Sequence, residues 1–261
     1  MNVALTIAGS DCSGGAGIQA DLKTMTAHCV YAMSAITALT AQNTMGVQAI
    51  FECEPVFLEK QLDSIFTDIY PDATKIGMVG NIALMTVIAD KLKQYRVRNV
   101  VLDPVMVSTS GSKLLTDHAV SSILNLLAPL ADLLTPNISE AEILSGISIK
   151  DAESMEKSAK LISEKCNAAV LVKGGHSEKN ADDVLYANGK IQWFKGVRLK
   201  NENTHGSGCT LSSAIACGLA KGFSLEVSVR NAKEYVSGAI RSNLNLGEGN
   251  GPINHCFQIG G

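Results

Sequence analysis

No CxxC spacing occurs anywhere in the 261 residues: the seven cysteines, Cys12, Cys29, Cys53, Cys166, Cys209, Cys217 and Cys256, are odd in number and scattered. That excludes a zinc-ribbon pattern and argues for reduced thiols rather than a disulfide framework, which places the chain in the cytoplasm. A basic stripe or tail is also missing. With a formal net charge of −3 and charged residues well mixed, the chain lacks the footprint of a nucleic-acid or anionic-membrane binder. Its densest basic stretch, Lys91-Lys93-Arg96-Arg98, is interrupted by Leu92 and Val97 and reads as a solvated helix face. There is no apolar run of membrane-spanning length, and Met1 leads within two residues into a strand-like run without a basic leader, so neither a membrane span nor a targeting segment is expected. Repeats, low-complexity tracts and Pro/Ser linkers are absent, which predicts one domain over 1–261.

What is there is 46% hydrophobic, enough for a large core. Short apolar runs alternate with amphipathic stretches of helical length, the pattern of βα units around a mainly parallel sheet. Val3–Ala8, Ala73–Ile76, Val100–Leu102, Leu133–Leu134 and Ala168–Val172 read as buried strands. Pro55–Asp68, Asn81–Tyr95, Asp117–Ala128 and Ala152–Cys166 read as helices. Beyond residue 183 the period changes to a β-hairpin, Val184-Leu185-Tyr186 and Ile191–Phe194, joined by Asn188-Gly189, a type I′ turn signal. Two further helices follow, Cys209–Ala220, closed by Lys221-Gly222, and Leu225–Asn243.

The stretch richest in chemistry is Asn203-Thr204-His205-Gly206-Ser207-Gly208-Cys209-Thr210, which feeds the apolar segment Leu211–Ala220. Glycines let a backbone approach a ligand, and the free N–H groups of a helix start carry about half a positive charge, so phosphate is the natural guest. Cys209 then stands where a thiol ionises most readily; alternatively the loop is only a helix cap and Cys209 a small buried hydrophobe.

A second glycine-rich loop, Gly9 to Gly17, follows the first strand and precedes a helix bearing Asp21 and Lys23. It lacks the GxGxxG spacing of a dinucleotide site. It reads either as a ligand-approaching loop with Asp21 reaching the same cavity, or as a tight turn with Asp21 on the surface. Three strand ends then carry polar residues: Asp103 after Val101-Leu102, Asn137 and Glu140 after Leu134, and Lys173 before Gly174-Gly175-His176. Ligand crevices of parallel sheets lie at the strands' carboxyl ends. Asp103 and Glu140 suit Mg²⁺, an oxygen-seeking ion; Ser139 and Glu140 equally suit a helix first turn. A lysine at a strand end facing a cleft, such as Lys173, supports no core. Phosphate donors, acids for a metal ion and a base near the acceptor are together what phosphoryl transfer needs.

The order of these motifs resembles the hydroxymethylpyrimidine/phosphomethylpyrimidine kinases of thiamine biosynthesis, within the ribokinase-like superfamily. The resemblance runs from Leu5 to about His255, through Leu5–Asp11, Ser13–Thr24, Thr37–Thr44, Lys75–Met78, Asp103–Met106, Thr135–Asn137, Lys173–His176 and Asn203–Cys209. It implies a three-layer α/β/α fold with a mainly parallel central sheet and a small β lid, and often a homodimer. It further implies that Gly9, Ala16, Asp21, Gln42, Met78, Val105 and Cys209 line a pyrimidine site. By the same comparison Asp103, Asn137, Glu140, Lys173 and the Thr204–Gly208 loop serve ATP, phosphate and Mg²⁺, with Cys209, Lys173 and, from the loop, Gly206, Ser207 and Gly208 acting in catalysis.

Two positions depart from the pattern: Cys12 stands where proline is common, and Ser112 where Asp is common. The activity implied is ATP-dependent phosphorylation of 4-amino-5-hydroxymethyl-2-methylpyrimidine and then of its monophosphate. A pyridoxal/pyridoxine kinase and a non-catalytic pyrimidine or nucleotide sensor are the alternatives. Gln42, whose amide matches an aminopyrimidine edge, favours the first.

Overall fold

Buried strands that send alternate side chains to opposite faces need cover on both sides, and these do. In β1 (Val3–Asp11) Leu5 and Ile7 enter one core and Ala4 another; in β4 (Ala73–Ile76), β5 (Val100–Leu102), β6 (Leu133–Leu134) and β7 (Ala169–Val172) the same division separates Ile76, Val100, Leu102, Leu134, Val170 and Val172 from Ala73, Val101, Leu133 and Leu171. The structure is a computed structural model and describes residues 1–106, 117–175 and 181–259. The larger core is closed by α2 (Pro55–Phe66), α3 (Ile82–Gln94), α5 (Ile138–Ser145) and α6 (Ala152–Cys166). The smaller one is closed by α1 (Gly17–Ala27), α7 (Ser207–Ala220) and α8 (Leu225–Arg241). The result is the three-layer α/β/α arrangement the resemblance implies.

Among the described residues the sheet has nine strands in the order β3-β2-β1-β4-β5-β6-β7-β8-β9, where β2 is Tyr31–Asn43, β3 Gly46–Glu52, β8 Asp183–Ala187 and β9 Lys190–Phe194. The six from β2 to β7 run parallel, and an antiparallel strand or hairpin is added at each end. The hairpin β8–β9 turns through Asn188 and Gly189 at φ 51° and 75°, the two positive values a type I′ turn requires.

The strand bounds expected at Ala73–Ile76, Val100–Leu102 and Leu133–Leu134 match. The first strand extends past Ala8 to Asp11, because after a bulge Ser10 and Asp11 pair with Leu39 and Thr40 of β2. The expected helix Asp117–Ala128 is instead a short α4 (Asp117–Ser122) widening into a π-type turn over Ile123–Leu127 and a 3₁₀ turn ending at Leu130, where Pro129 offers no N–H. Helix α7 starts at Ser207, two residues earlier than expected, since Gly206 at φ 81° holds its cap. Lys91, expected on a solvated face, is buried and ties α3 to α2 through Glu59 (2.9 Å) and Asp63 (2.8 Å). No described helix is long and apolar enough to cross a membrane.

Candidate active site

The carboxyl ends of β1, β4, β5, β6 and β7 and the N-terminus of α7 open onto one cleft of about 640 Å³. Gly9, Ala16, Gln42, Met78, Val105 and Cys209 line it, as do Asp103, Asn137, Glu140, Lys173, Thr204, Gly206, Ser207 and Gly208. Of the expected site residues within the described chain, one does not. Ser112 and His176 lie outside the described residues.

The exception is Asp21. The resemblance put it in the pyrimidine pocket, but its carboxylate is fully buried beneath the cleft floor. Lys75 Nζ donates to both of its oxygens (2.9 and 2.7 Å), and Thr6 Oγ1 and Ser213 Oγ each donate at 2.6 Å. A carboxylate that accepts four hydrogen bonds from three groups is satisfied without a ligand. Burial alone would push Lys75 toward neutrality, but Asp21, Cys209 and Asp103 outweigh it and hold the ammonium charged. Sequence reasoning gave Lys75 no role; the signal was a lysine inside the otherwise buried strand Ala73–Ile76.

Cys209 stands above this pair, partly open to the cleft. The helix start was expected to favour its thiolate. It does not prevail: burial pushes the thiol up to about 11, with Lys75 and a hydrogen bond from the Gly17 N–H pulling down and Asp21 and Asp103 pushing up. In the free protein the residue is a thiol. The loop before it is built for close approach, because a Cβ on Gly206 would sit 1.9 Å from the Gly15 carbonyl oxygen. No side chain caps α7; the Ser207 N–H is taken by the Thr204 carbonyl (3.1 Å), which leaves the amides of Gly208 and Cys209 for the cleft. Thr204 is fixed by Asn250, whose Oδ1 accepts from its N–H at 3.0 Å, and the His205 N–H donates to the Gly251 carbonyl (3.1 Å).

Across the cleft Lys173 Nζ donates to Asp103 Oδ1 at 2.7 Å, and Thr135 Oγ1 donates to the same oxygen at 3.1 Å. Asp103 is 2% exposed and the Lys173 side chain 14%, so the sequence-level view of Lys173 as structurally idle is corrected: it neutralises a buried carboxylate. At Asn137 and Glu140 both readings hold. The two form a capping box on α5, Glu140 N donating to Asn137 Oδ1 (2.9 Å) and Asn137 N to Glu140 Oε2 (2.8 Å), while both also line the cleft. Helix α5 is therefore the helix that the Ser139–Glu140 signal offered.

Burial, and to a lesser degree Asp103, raise Glu140 from 4.5 to about 7 against the pull of Lys173 and two backbone N–H groups. A group whose folded pKa lies above its unfolded one binds its proton more tightly when folded, so its contribution to stability is present below about pH 4.5 and is lost as pH rises through 7. Wild type should therefore lose up to roughly 3 kcal/mol between pH 4.5 and 8 relative to Glu140→Gln, which keeps the cap but cannot titrate. Urea unfolding of both proteins across that range reads the difference; parallel curves would return Glu140 to an ordinary carboxylate.

Sequence reasoning gave Asp11 no role and His205 only its place in the anion loop. Asp11 is 3% exposed; burial pushes it up, but hydrogen bonds from His205, from the Ser13 hydroxyl and from the N–H groups of Ser13 and Ala16 bring it down to about 2. The departure Cys12 has a use here: its Sγ lies 3.2 Å from the Gln42 carbonyl oxygen and 3.3 Å from the Gln42 N, tying the first loop to β2. The described residues contain no group of three or more His, Cys, Asp or Glu side chains arranged to hold a metal ion.

A doubly covered parallel sheet with an open helix N-terminus, a lysine–carboxylate pair and a half-buried thiol around one cleft is the layout that the resemblance to phosphotransferases of the ribokinase-like class implies. The family model for phosphomethylpyrimidine kinase matches residues 11–254. The thiamine biosynthesis bifunctional protein ThiED of Geobacter sulfurreducens is 48% identical over 97% of this chain, which spans 52% of that longer protein. Among solved structures, phosphomethylpyrimidine kinase from Clostridium difficile superposes with a TM-score of 0.83 at 43% identity, covering 92% of this chain and 100% of that one. An ADP complex of Bacillus subtilis pyridoxal kinase superposes with a TM-score of 0.92 at 36% identity over 99% of both. The chain belongs to the phosphomethylpyrimidine kinase family and is a kinase, with ATP as the cosubstrate that such an activity implies.

Proposed function

We propose that this kinase phosphorylates the hydroxymethyl group of 4-amino-5-hydroxymethyl-2-methylpyrimidine and then the resulting monophosphate. The observation that carries this reading is that Gln42, a donor and acceptor matched to an aminopyrimidine, shares one cleft with Cys209 and the uncapped start of α7. The hydroxymethyl group would face Cys209, and the transferred phosphoryl the amides of Gly208 and Cys209. Lys173 supplies positive charge for the oxygens that become more negative in transfer. Asp103 and Glu140 are too few to cage an ion, but they suit a Mg²⁺ that keeps waters and nucleotide oxygens, where it would neutralise phosphate charge. Product mass after incubation with ATP tests the reading: two added phosphoryl groups support it, one limits the chain to a single step, and no ATP consumption favours a sensor. The likeness to a pyridoxal kinase keeps pyridoxal or pyridoxine phosphorylation as a second activity, to be assayed in parallel.

Gln42→Leu is expected to weaken pyrimidine binding by about 1–3 kcal/mol while ATP affinity changes little, because a polar ligand edge loses its partner in a closed pocket. Equilibrium binding of each ligand checks it, and unchanged pyrimidine affinity would remove Gln42 from the site.

The chain acts as one domain and as a homodimer in this reading. Leu39 and Phe51, paired across β2 and β3, and Val56 and Phe57 of α2 have side chains 50–71% exposed, apolar surface of the kind a partner covers. Sedimentation velocity reads that state directly. All seven cysteines are free, which supports the cytoplasm as its compartment.

A further inference from the structure

His205 belongs to the anion loop by sequence, yet its ring turns to Asp11 and Gln42. It is buried, 5% exposed, and lies over Gly15, where a Cβ would come within 2.2 Å of the imidazole Cδ2. Its Nε2 is 2.9 Å from Asp11 Oδ2 and 3.2 Å from the Gln42 side-chain amide. These contacts settle where the proton is. Asp11 accepts from four groups besides the ring and is held ionised. A carboxylate only accepts, so Nε2 carries the hydrogen and donates it.

A donating Nε2 cannot also accept from an N–H of Gln42. The amide therefore turns its oxygen toward His205, where at 3.2 Å it takes the longer branch of the one Nε2 hydrogen that Asp11 accepts at 2.9 Å, and its NH₂ toward Thr40 Oγ1, 3.1 Å away. Thr40 accommodates this, because its own hydroxyl donates to the Ser10 carbonyl at 3.0 Å and keeps a lone pair free. The second N–H of Gln42 and the remaining lone pair of its oxygen are left for a ligand. An amide free to flip would offer donor and acceptor in either order; one anchored by His205 offers them in one order only. With the hydroxymethyl group fixed at Cys209, only a heterocycle whose amino group and ring nitrogen are arranged in the matching order satisfies both.

We propose that His205, held by Asp11, is a positioning residue for specificity: it fixes the orientation of the Gln42 amide and so selects an aminopyrimidine over a hydroxymethylpyridine. This rests on the reading that Gln42 faces the pyrimidine. It differs from a role in phosphate binding, because its effect passes through Gln42.

The test is steady-state kinetics on wild type, Gln42→Leu, His205→Phe, His205→Gln and the double variant Gln42→Leu/His205→Phe, with the aminopyrimidine alcohol and with pyridoxine as acceptors. His205→Phe keeps a ring over Gly15 without the N–H; His205→Gln returns a side-chain N–H at a similar reach. We expect His205→Phe to raise KM for the aminopyrimidine about tenfold and to lower its preference over pyridoxine about tenfold, with KM for ATP within about twofold. His205→Gln should recover most of both effects, and the double variant should be no worse than Gln42→Leu alone. Equal losses on both acceptors, a parallel rise in KM for ATP, or fully additive losses in the double variant would each show that His205 only supports the loop, and would overturn the proposal. A Gln42→Leu single variant with unchanged aminopyrimidine KM would instead overturn the reading of the site, and this proposal with it.

Discussion

Cys209→Ala should slow phosphorylation of the pyrimidine alcohol by about 100- to 10,000-fold, the usual contribution of a general base, and slow phosphorylation of the monophosphate far less. An alcohol must lose a proton as it attacks, whereas a phosphate monoester already presents an anionic oxygen near neutral pH. The environment of the thiol adds a pH signature. Because burial holds it near 11, only a small fraction is thiolate at neutral pH, and that fraction grows about tenfold for each pH unit. In wild type kcat/KM for the alcohol should therefore climb steeply toward alkaline pH, and in Cys209→Ala the climb should vanish.

Cys209→Asp should reverse the preference. It gives the alcohol a base, but adds a third carboxylate to a neighbourhood where Asp21 and Asp103 already act on this position. A fixed negative charge about 4 Å from a phosphate costs on the order of 4 kcal/mol at an effective dielectric of about 20. Single-acceptor kinetics on both variants decide the matter: equal losses on the two acceptors in Cys209→Ala would leave the residue only a shaping role in the anion loop.

Lys173→Met is expected to do two things at once. Turnover should fall about 100- to 1,000-fold, as when one preorganised charge donor is removed from a transition state. Stability should fall as well, by about 3–5 kcal/mol, because Asp103 is left buried without its cation. Pairing it with Asp103→Asn should recover much of the stability, measured by urea unfolding, and none of the turnover. If Lys173→Met unfolds at the wild-type midpoint, the 2.7 Å pair contributes nothing to folding. If it is fully active per folded molecule, Lys173 plays no part in transfer.

Much of the fold was legible because the buried strands are short, apolar and flanked by helices of strong 3.6-residue period; Ala152–Cys166, with Asp151 as cap and Asn167 in the left-handed region after it, matches to the residue. The strands β2 and β3 were not read as strands. The end of β2 and the whole of β3 mix Thr, Gln and Asn with apolar residues, so they carry neither a continuous buried run nor a clean alternation. Only the resemblance anticipated a β lid.

The sequence by itself determined the layered α/β class, the strand ends that carry Asp103, Asn137 and Lys173, the glycines that open α7 to an anion, and the family. These follow from local patterns: period, glycine placement and motif order all act within one stretch of chain. Only the tertiary structure decided the charge states and the partners. It placed Asp21 under the floor against Lys75, 54 residues away, and kept Cys209 a thiol, where local reasoning from the helix start left both an easily ionised thiol and a small buried hydrophobe open. It also brought His205 to Asp11 across 194 residues. Electrostatics in a buried site depends on which charges packing gathers and how much water it removes, and neither quantity is written in any one segment.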